Sequence, residues 1–175
     1  TDQIKFYKEN GYLGVPDVLP PEDVEALRQV TDDFVEQSRA VTENTDVFGL
    51  EPGHTAETPR LRRLREPTKQ HAVYARIMRH RAILETVAQL IGPDIRLNGD
   101  KLNMKSPAYG SPVEWHQDWA FYPHTNDDLL AVGVVMDDMM LENGCLLVIP
   151  GSHKGPLLSH HQEGIFVGAV TDPTL

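Results

Sequence analysis

At Gly92-Pro93 the chain changes periodicity, and that change restricts the available folds more than any other feature. Upstream, apolar residues recur at helical spacing. Pro20-Pro21-Glu22-Asp23 supplies the proline and acidic first turn of a helix, and Val24, Leu27, Val30, Phe34 and Val35 then follow on one face. A second periodic segment covers residues 70–91, with Val73, Ile77, Ile83, Leu84, Val87 and Leu90 apolar and a break near His80; Gly92-Pro93 stops it. Residues 42–58 show no periodicity and read as a loop. Downstream, short runs at 95–104, 113–115, 129–136, 145–149 and 165–170 read as strands. Punctuation such as the 106–112 stretch, Glu142-Asn143-Gly144 and Pro150-Gly151-Ser152 separates them. Helices followed by antiparallel-type strands imply an α+β arrangement in which helices buttress a sheet, or a sandwich or jelly roll.

A chain of 175 residues, 40% apolar and 24% charged, is long enough for one real core, so a single globular domain is expected over 1–175. No run approaches the eighteen or so consecutive apolar residues of a membrane helix, and Thr1-Asp2-Gln3-Ile4-Lys5 has no signal pattern, so no membrane role and a cytoplasmic location are expected. Cys145, in the apolar run Cys145-Leu146-Leu147-Val148-Ile149, reads as a core residue in a reducing compartment. A net charge of −10 argues against nucleic acid as a partner. Arg60-Leu61-Arg62-Arg63-Leu64-Arg65 interrupts that acidity; it reads as a solvated helix or loop edge, or alternatively as a site for a small anion. There is no P-loop, dinucleotide fingerprint, nucleophile elbow or Cys-x-x-Cys pair.

Chemistry concentrates in Glu114-Trp115-His116-Gln117-Asp118-Trp119. On a strand, side chains two apart share a face with their Cα atoms about 6.6 Å apart. His116 and Asp118 would then reach one metal ion while Gln117 points away and the tryptophans wall the site. His-x-Asp supplies two members of the 2-His-1-carboxylate triad that leaves open positions on Fe(II). Alone, such a tripeptide is a weak signal.

Its neighbours strengthen it. Asn103-Met104-Lys105-Ser106-Pro107, the His-x-Asp segment, and Asn143-Gly144-Cys145-Leu146-Leu147-Val148-Ile149-Pro150-Gly151-Ser152-His153-Lys154-Gly155 come in that order. Together they resemble the phytanoyl-CoA dioxygenase family of Fe(II)- and 2-oxoglutarate-dependent oxygenases, over residues 7–170. The resemblance implies a double-stranded β-helix, a cupin-like jelly roll, with buttressing helices in residues 1–92 and a β-helix core in 93–175. It implies splitting of dioxygen with 2-oxoglutarate as reductant, giving succinate, carbon dioxide and an iron oxidant that abstracts hydrogen from a small organic or acyl-carrier substrate. It assigns His116 and Asp118 as metal ligands and Asn103 and Lys105 as cosubstrate contacts, with Arg63 near a basic contact. Trp119, Phe121 and Tyr122 would wall the substrate pocket or pack under the sheet. The carboxylate at Asp118 favours hydroxylation, desaturation or ring formation over halogenation.

The resemblance also places a third ligand histidine and a cosubstrate-clamping arginine beyond Thr171-Asp172-Pro173-Thr174-Leu175, so the core within these residues is expected to be incomplete. Asn143-Gly144 and Pro150-Gly151-Ser152-His153 read as turns. His153 is expected to shape a loop, His160-His161 to lie in a loop and not to ligate, and Asp127-Asp128 and Asp137-Asp138 to be turn or strand-end acids. Two other readings stay open at this point. One is a catalytically inactive β-helix that serves as a binding module; the other is a cupin-like hydrolase or isomerase using Zn or Mn.

Overall fold

A computed structural model of the chain describes residues 1–107 and 110–172; Ala108 and Tyr109 of the 106–112 turn stretch, and the last residues 173–175, lie outside the described residues. The helices come first. α1 (Asp2–Asn10) begins with the Thr1 hydroxyl accepting from the Ile4 N–H and ends at Gly11, whose φ of 83° is the left-handed conformation a side chain would strain. α2 (Pro21–Gln37) starts where proline and acidic residues place it, since its first-turn N–H groups favour negative charge and tolerate a proline. α3 (Pro67–Gln70), α4 (Ala72–Met78) and α5 (Arg81–Ile91) follow. The break expected near His80 is there: His80 is extended at the start of α5, and Gly92 closes that helix at a φ of 100°.

Three strands form one antiparallel sheet, β1 (Phe48–Leu50), β2 (Leu61–Arg65) and β3 (Lys101–Asn103), with β2 in the middle. The 60–65 stretch is therefore neither a helix nor a loop edge. Leu61 and Leu64, exposed by 2% and 0%, both turn inward although they are three residues apart. A register shift explains this. Phe48 faces Leu64 and Gly49 faces Arg63, but Leu50 faces Leu61, so Arg62 is the extra residue of a β-bulge. Residues 48–50, expected to be loop, supply the edge strand that this bulge accommodates.

The core fills the space between this sheet and the helices. Leu27 and Phe34 of α2, Tyr74 and Ile77 of α4, and Ile83 and Val87 of α5 close on Leu64, with Phe48, Leu102, Leu130 and Met136 packed against them. Polar links cross the same layer. Asp23, buried on α2, pairs with Arg76 of α4, and the Thr31 hydroxyl meets the Tyr74 hydroxyl at 2.8 Å. No helix among the described residues is long and apolar enough to cross a membrane.

The remaining half is mostly irregular. β4 (His161–Gln162) and β5 (Ile165–Phe166) form a hairpin whose two turn residues, Glu163 and Gly164, both have positive φ, as a tight two-residue turn with the strand's own twist requires. His161 is thus a strand residue rather than a loop residue. The expected strand at 95–104 contracts to Lys101–Asn103, and that at 165–170 to Ile165–Phe166. Residues 113–115, 129–136 and 145–149 join no ladder among the described residues. Their composition suits a strand, but a strand exists only where a second backbone meets its N–H and C=O groups. Val132, Val135, Leu146 and Leu147 accordingly stay exposed. The architecture is mixed, with helices and a few antiparallel strands.

Candidate metal centre

The His116–Asp118 segment is not a strand. Gln117 is extended, with φ −113° and ψ 124°, and Asp118 opens a single 3-10 turn, Asp118–Ala120. The two side chains still converge: His116 Nε2 lies 3.5 Å from Asp118 Oδ1. The other ring nitrogen, Nδ1, sits 2.8 Å from the Glu114 carbonyl oxygen. A carbonyl only accepts, so Nδ1 carries a hydrogen, and Nε2 is the nitrogen that faces the carboxylate. A bare Nε2 and a carboxylate oxygen in that position repel unless a cation or proton lies between them. His116 is largely buried and Asp118 is half-exposed, which leaves the space between them open to solvent on the acid's side.

The expected tryptophan walls are only half there. Trp115 is exposed, its carbonyl accepting from the Val170 N–H, and Trp119 donates through Nε1 to the Asn126 carbonyl. The aromatic group that touches the imidazole is Phe121, 5.4 Å from His116 centroid to centroid and nearly perpendicular to it. Phe121 also meets Phe166 edge-on at 5.1 Å. Gly168 makes room: a Cβ there would fall 3.1 Å from the tip of the Phe121 ring. Beside the Asp118–Ala120 turn lies a cleft of about 430 Å3 whose walls include Trp119, Leu157, His160 and Phe166.

Gln117, between the two converging side chains, is held from outside. Its backbone N–H donates to His160 Nε2 at 2.9 Å, its side-chain N–H donates to the Pro156 carbonyl at 3.1 Å, and its side-chain oxygen accepts from the Leu158 N–H at 2.7 Å. His160 is 2% exposed, and its Nδ1 donates to the Leu158 carbonyl at 2.8 Å. Both of its nitrogens are occupied, so it offers no lone pair to a metal. Nothing in the sequence pointed to Gln117 or His160 in this role, because the contact joins residues far apart in the chain. His153 shapes a loop: its Nε2 donates to the Lys8 carbonyl at the end of α1, and a Cβ on Gly11 would collide with its ring. Asp137 pairs with Arg28 at 3.3 Å, and Asp128 accepts from Asn126. Among the described residues, no group of three or more His, Cys, Asp and Glu side chains is arranged to hold a metal ion.

Asn103 and Lys105 have partners of their own. Asn103 Oδ1 accepts from Arg63 Nε across the β2–β3 pair at 3.3 Å. Lys105 lies beyond the end of β3 and donates to the Ser111 carbonyl at 2.8 Å. Its stem runs close to Gly110 and Gly144, where an added Cβ would come within 3.1 Å of its Cδ. Glu51, 3% exposed, accepts from both the backbone N–H and the hydroxyl of Ser111. Burial pushes the Glu51 carboxyl upward, but the two Ser111 hydrogen bonds, with Arg62 and Lys105 nearby, outweigh it and hold the group below its ordinary range.

The family model described as phytanoyl-CoA dioxygenase (PhyH) matches residues 7–164. The chain is 32% identical over 173 residues to a probable alpha-ketoglutarate-dependent hypophosphite dioxygenase of Stutzerimonas stutzeri, covering 98% of this chain and 60% of that protein. It is 34% identical over 154 residues to L-proline trans-4-hydroxylase of Streptomyces griseoviridis, covering 85% and 54%. It is 28% identical over 166 residues to the peroxisomal phytanoyl-CoA dioxygenase of Rattus norvegicus, covering 91% and 49%. The chain spans about half to three-fifths of the length of these relatives.

Proposed function

The chain belongs to the phytanoyl-CoA dioxygenase family, and from that membership we propose that it is an Fe(II)- and 2-oxoglutarate-dependent dioxygenase that hydroxylates an unactivated C–H bond of a small organic or acyl-carrier substrate. In this reading His116 and Asp118 are two of the iron's ligands. One observation carries it: the His116 Nε2 and a carboxylate oxygen of Asp118 face each other at 3.5 Å with the imidazole's other nitrogen tied to the Glu114 carbonyl. Metal-ligating histidines are oriented in that way, through the nitrogen that does not bind. First-row divalent ions hold such donors at roughly 2.0–2.2 Å, which at a right angle spaces them about 3 Å apart. A small closure of the pair would suffice. Neutral nitrogen and carboxylate oxygen also suit a redox-active iron with open positions.

When bound, the iron supplies activation of dioxygen, with 2-oxoglutarate as the source of electrons. The chain's own residues do the rest. The Glu114 carbonyl fixes the ring orientation of His116, and the Phe121 ring packs against it nearly at a right angle. The Asp118 carboxylate would take the ligand position that a halide needs, which favours hydroxylation or another hydrogen-abstraction outcome over halogenation. Lys105 is proposed to contact 2-oxoglutarate: one of its three N–H donors is used on Ser111, and two remain to aim at a carboxylate. Asn103, which faces Arg63 across the β2–β3 pair and accepts from it, is proposed to lie along the same cosubstrate path. The cleft beside the Asp118–Ala120 turn falls in the size range of small-molecule sites, and relatives named for hypophosphite and L-proline support a small substrate. We also propose the double-stranded β-helix of the family, a reading supported by the family match, which would require residues 129–136 and 145–149 to gain the strand partners they lack among the described residues.

The test is anaerobic titration of the protein with Fe(II) and 2-oxoglutarate, followed by visible absorption, with succinate measured after oxygen is admitted. A weak charge-transfer band and succinate are expected in the wild type, and neither in His116→Ala or Asp118→Ala. If either variant keeps both signals, His116 and Asp118 are not the ligands. Zinc should block turnover; zinc-supported activity would favour a hydrolase instead.

A further inference from the structure

We infer that His160 is a positioning residue: its buried, doubly engaged imidazole grips the Gln117 peptide and thereby sets how His116 and Asp118 face each other. The inference rests on the proposed reading of that pair as metal ligands and goes beyond it to a residue of another element. The flanking side chains project from the two ends of one residue's backbone, so their separation depends on how that backbone is held. Gln117 makes three hydrogen bonds to the 156–160 strip, besides the one its carbonyl accepts from the Ala120 N–H within the local turn. Two of these involve its side chain, which a swing of χ angles can follow. The third, from the backbone N–H to His160 Nε2 at 2.9 Å, acts on the peptide itself.

His160 suits the task because it cannot move or exchange roles. Its Nδ1–H is committed to the Leu158 carbonyl, which fixes the tautomer and leaves Nε2 as the acceptor that the Gln117 N–H needs. Its ring lies nearly parallel to Phe166 and edge-on to Phe121, and Phe121 is the same ring that meets His116. Phe121 therefore packs against both imidazoles, while the Gln117 N–H, in the peptide that follows His116, donates to His160. His160 is 2% exposed, so both of its hydrogen bonds are made almost out of contact with solvent. Outer partners that orient metal ligands typically change metal affinity about 10- to 100-fold when removed.

Three variants separate the two nitrogens. His160→Gln can place an acceptor oxygen where Nε2 was, His160→Asn can keep only the donor to Leu158, and His160→Phe keeps neither. In the full chain, Co(II) affinity would be read from its visible bands, and exchange of the Gln117 amide hydrogen would be followed by NMR in the metal-free protein. His160→Gln should stay within about threefold of the wild type in Co(II) affinity, and His160→Asn should lose about 10- to 100-fold. The Gln117 amide should be protected in the wild type and in His160→Gln and exposed in His160→Asn. Equal Co(II) affinity and equal Gln117 protection in the Gln and Asn variants would overturn the inference, whether or not His160→Phe folds. Wild-type protein that fails to bind Co(II) while the Gln117 amide follows the expected pattern would instead overturn the metal reading and leave the clamp standing.

Discussion

Glu51→Gln tests whether a buried carboxylate fastens the sheet to the loop ahead of the candidate centre. Both Ser111 donors, the N–H and the hydroxyl, point at its two oxygens. A glutamine can still accept the Ser111 N–H and donate its amide N–H2 to the Ser111 hydroxyl, so both contacts can persist, but each loses its charged partner. A hydrogen bond to a charged group exceeds a neutral one by about 1 kcal/mol, so the two together lose about 1.5–3 kcal/mol. For a chain of this size each kcal/mol corresponds to about 2–4 °C, so the variant should melt about 3–12 °C lower at neutral pH. The pH dependence is the sharper check. The folded carboxyl sits below its ordinary value of 4.5, so the unfolded chain takes up the proton first as pH falls. The stability Glu51 contributes is complete above about pH 4.5 and fades as pH drops through the lower folded value. Differential scanning calorimetry of both proteins from pH 7 to 3 should show the gap in melting temperature narrowing below pH 4.5; the other carboxylates titrate alike in both and cancel. A gap that stays constant or widens on acidification would refute the reasoning.

Lys105→Ala should raise the apparent requirement for 2-oxoglutarate about 10- to 100-fold with kcat little changed, because a charge-assisted binding contact is lost and no ligand is. Initial rates against 2-oxoglutarate concentration would show it. Gly144→Ala should move the same parameter in the same direction, since its Cβ would push on the Lys105 stem from a backbone already at a φ of 79°. Leu64→Ala, at the centre of the packed layer, should cost about 2–5 kcal/mol by urea unfolding; a loss under 1 kcal/mol would mean the sheet and helices do not share that core.

The helical half was legible where local chemistry decides it. A proline and two acids mark the start of α2, and Gly92 marks the end of α5. β2 was hidden because its inward leucines are three apart, a spacing that imitates a helix; only the bulge at Arg62, made by pairing with a segment more than ten residues upstream, restores the strand. The later apolar runs failed in the opposite way. Their composition is that of strands, but composition does not supply a partner, and residues 129–136 and 145–149 find none among the described residues.

The candidate centre divides along the same line. His116 and Asp118 are two residues apart, so their convergence is a matter of local backbone, and it survives the replacement of the expected strand by one extended residue and a 3-10 turn. What holds the pair is not local. The Gln117 peptide is received by His160, 43 residues away, and the choice of acceptor nitrogen is made by the Leu158 carbonyl on the ring's other side. A sequence shows His160 only as one of two adjacent histidines. Burial separates them, because His160 is sealed behind Phe121 and Phe166 while His161 stays exposed on β4. A neutral imidazole with both nitrogens committed is thus the feature that sequence spacing could not reveal, and substituting acceptor and donor separately is the way to expose it.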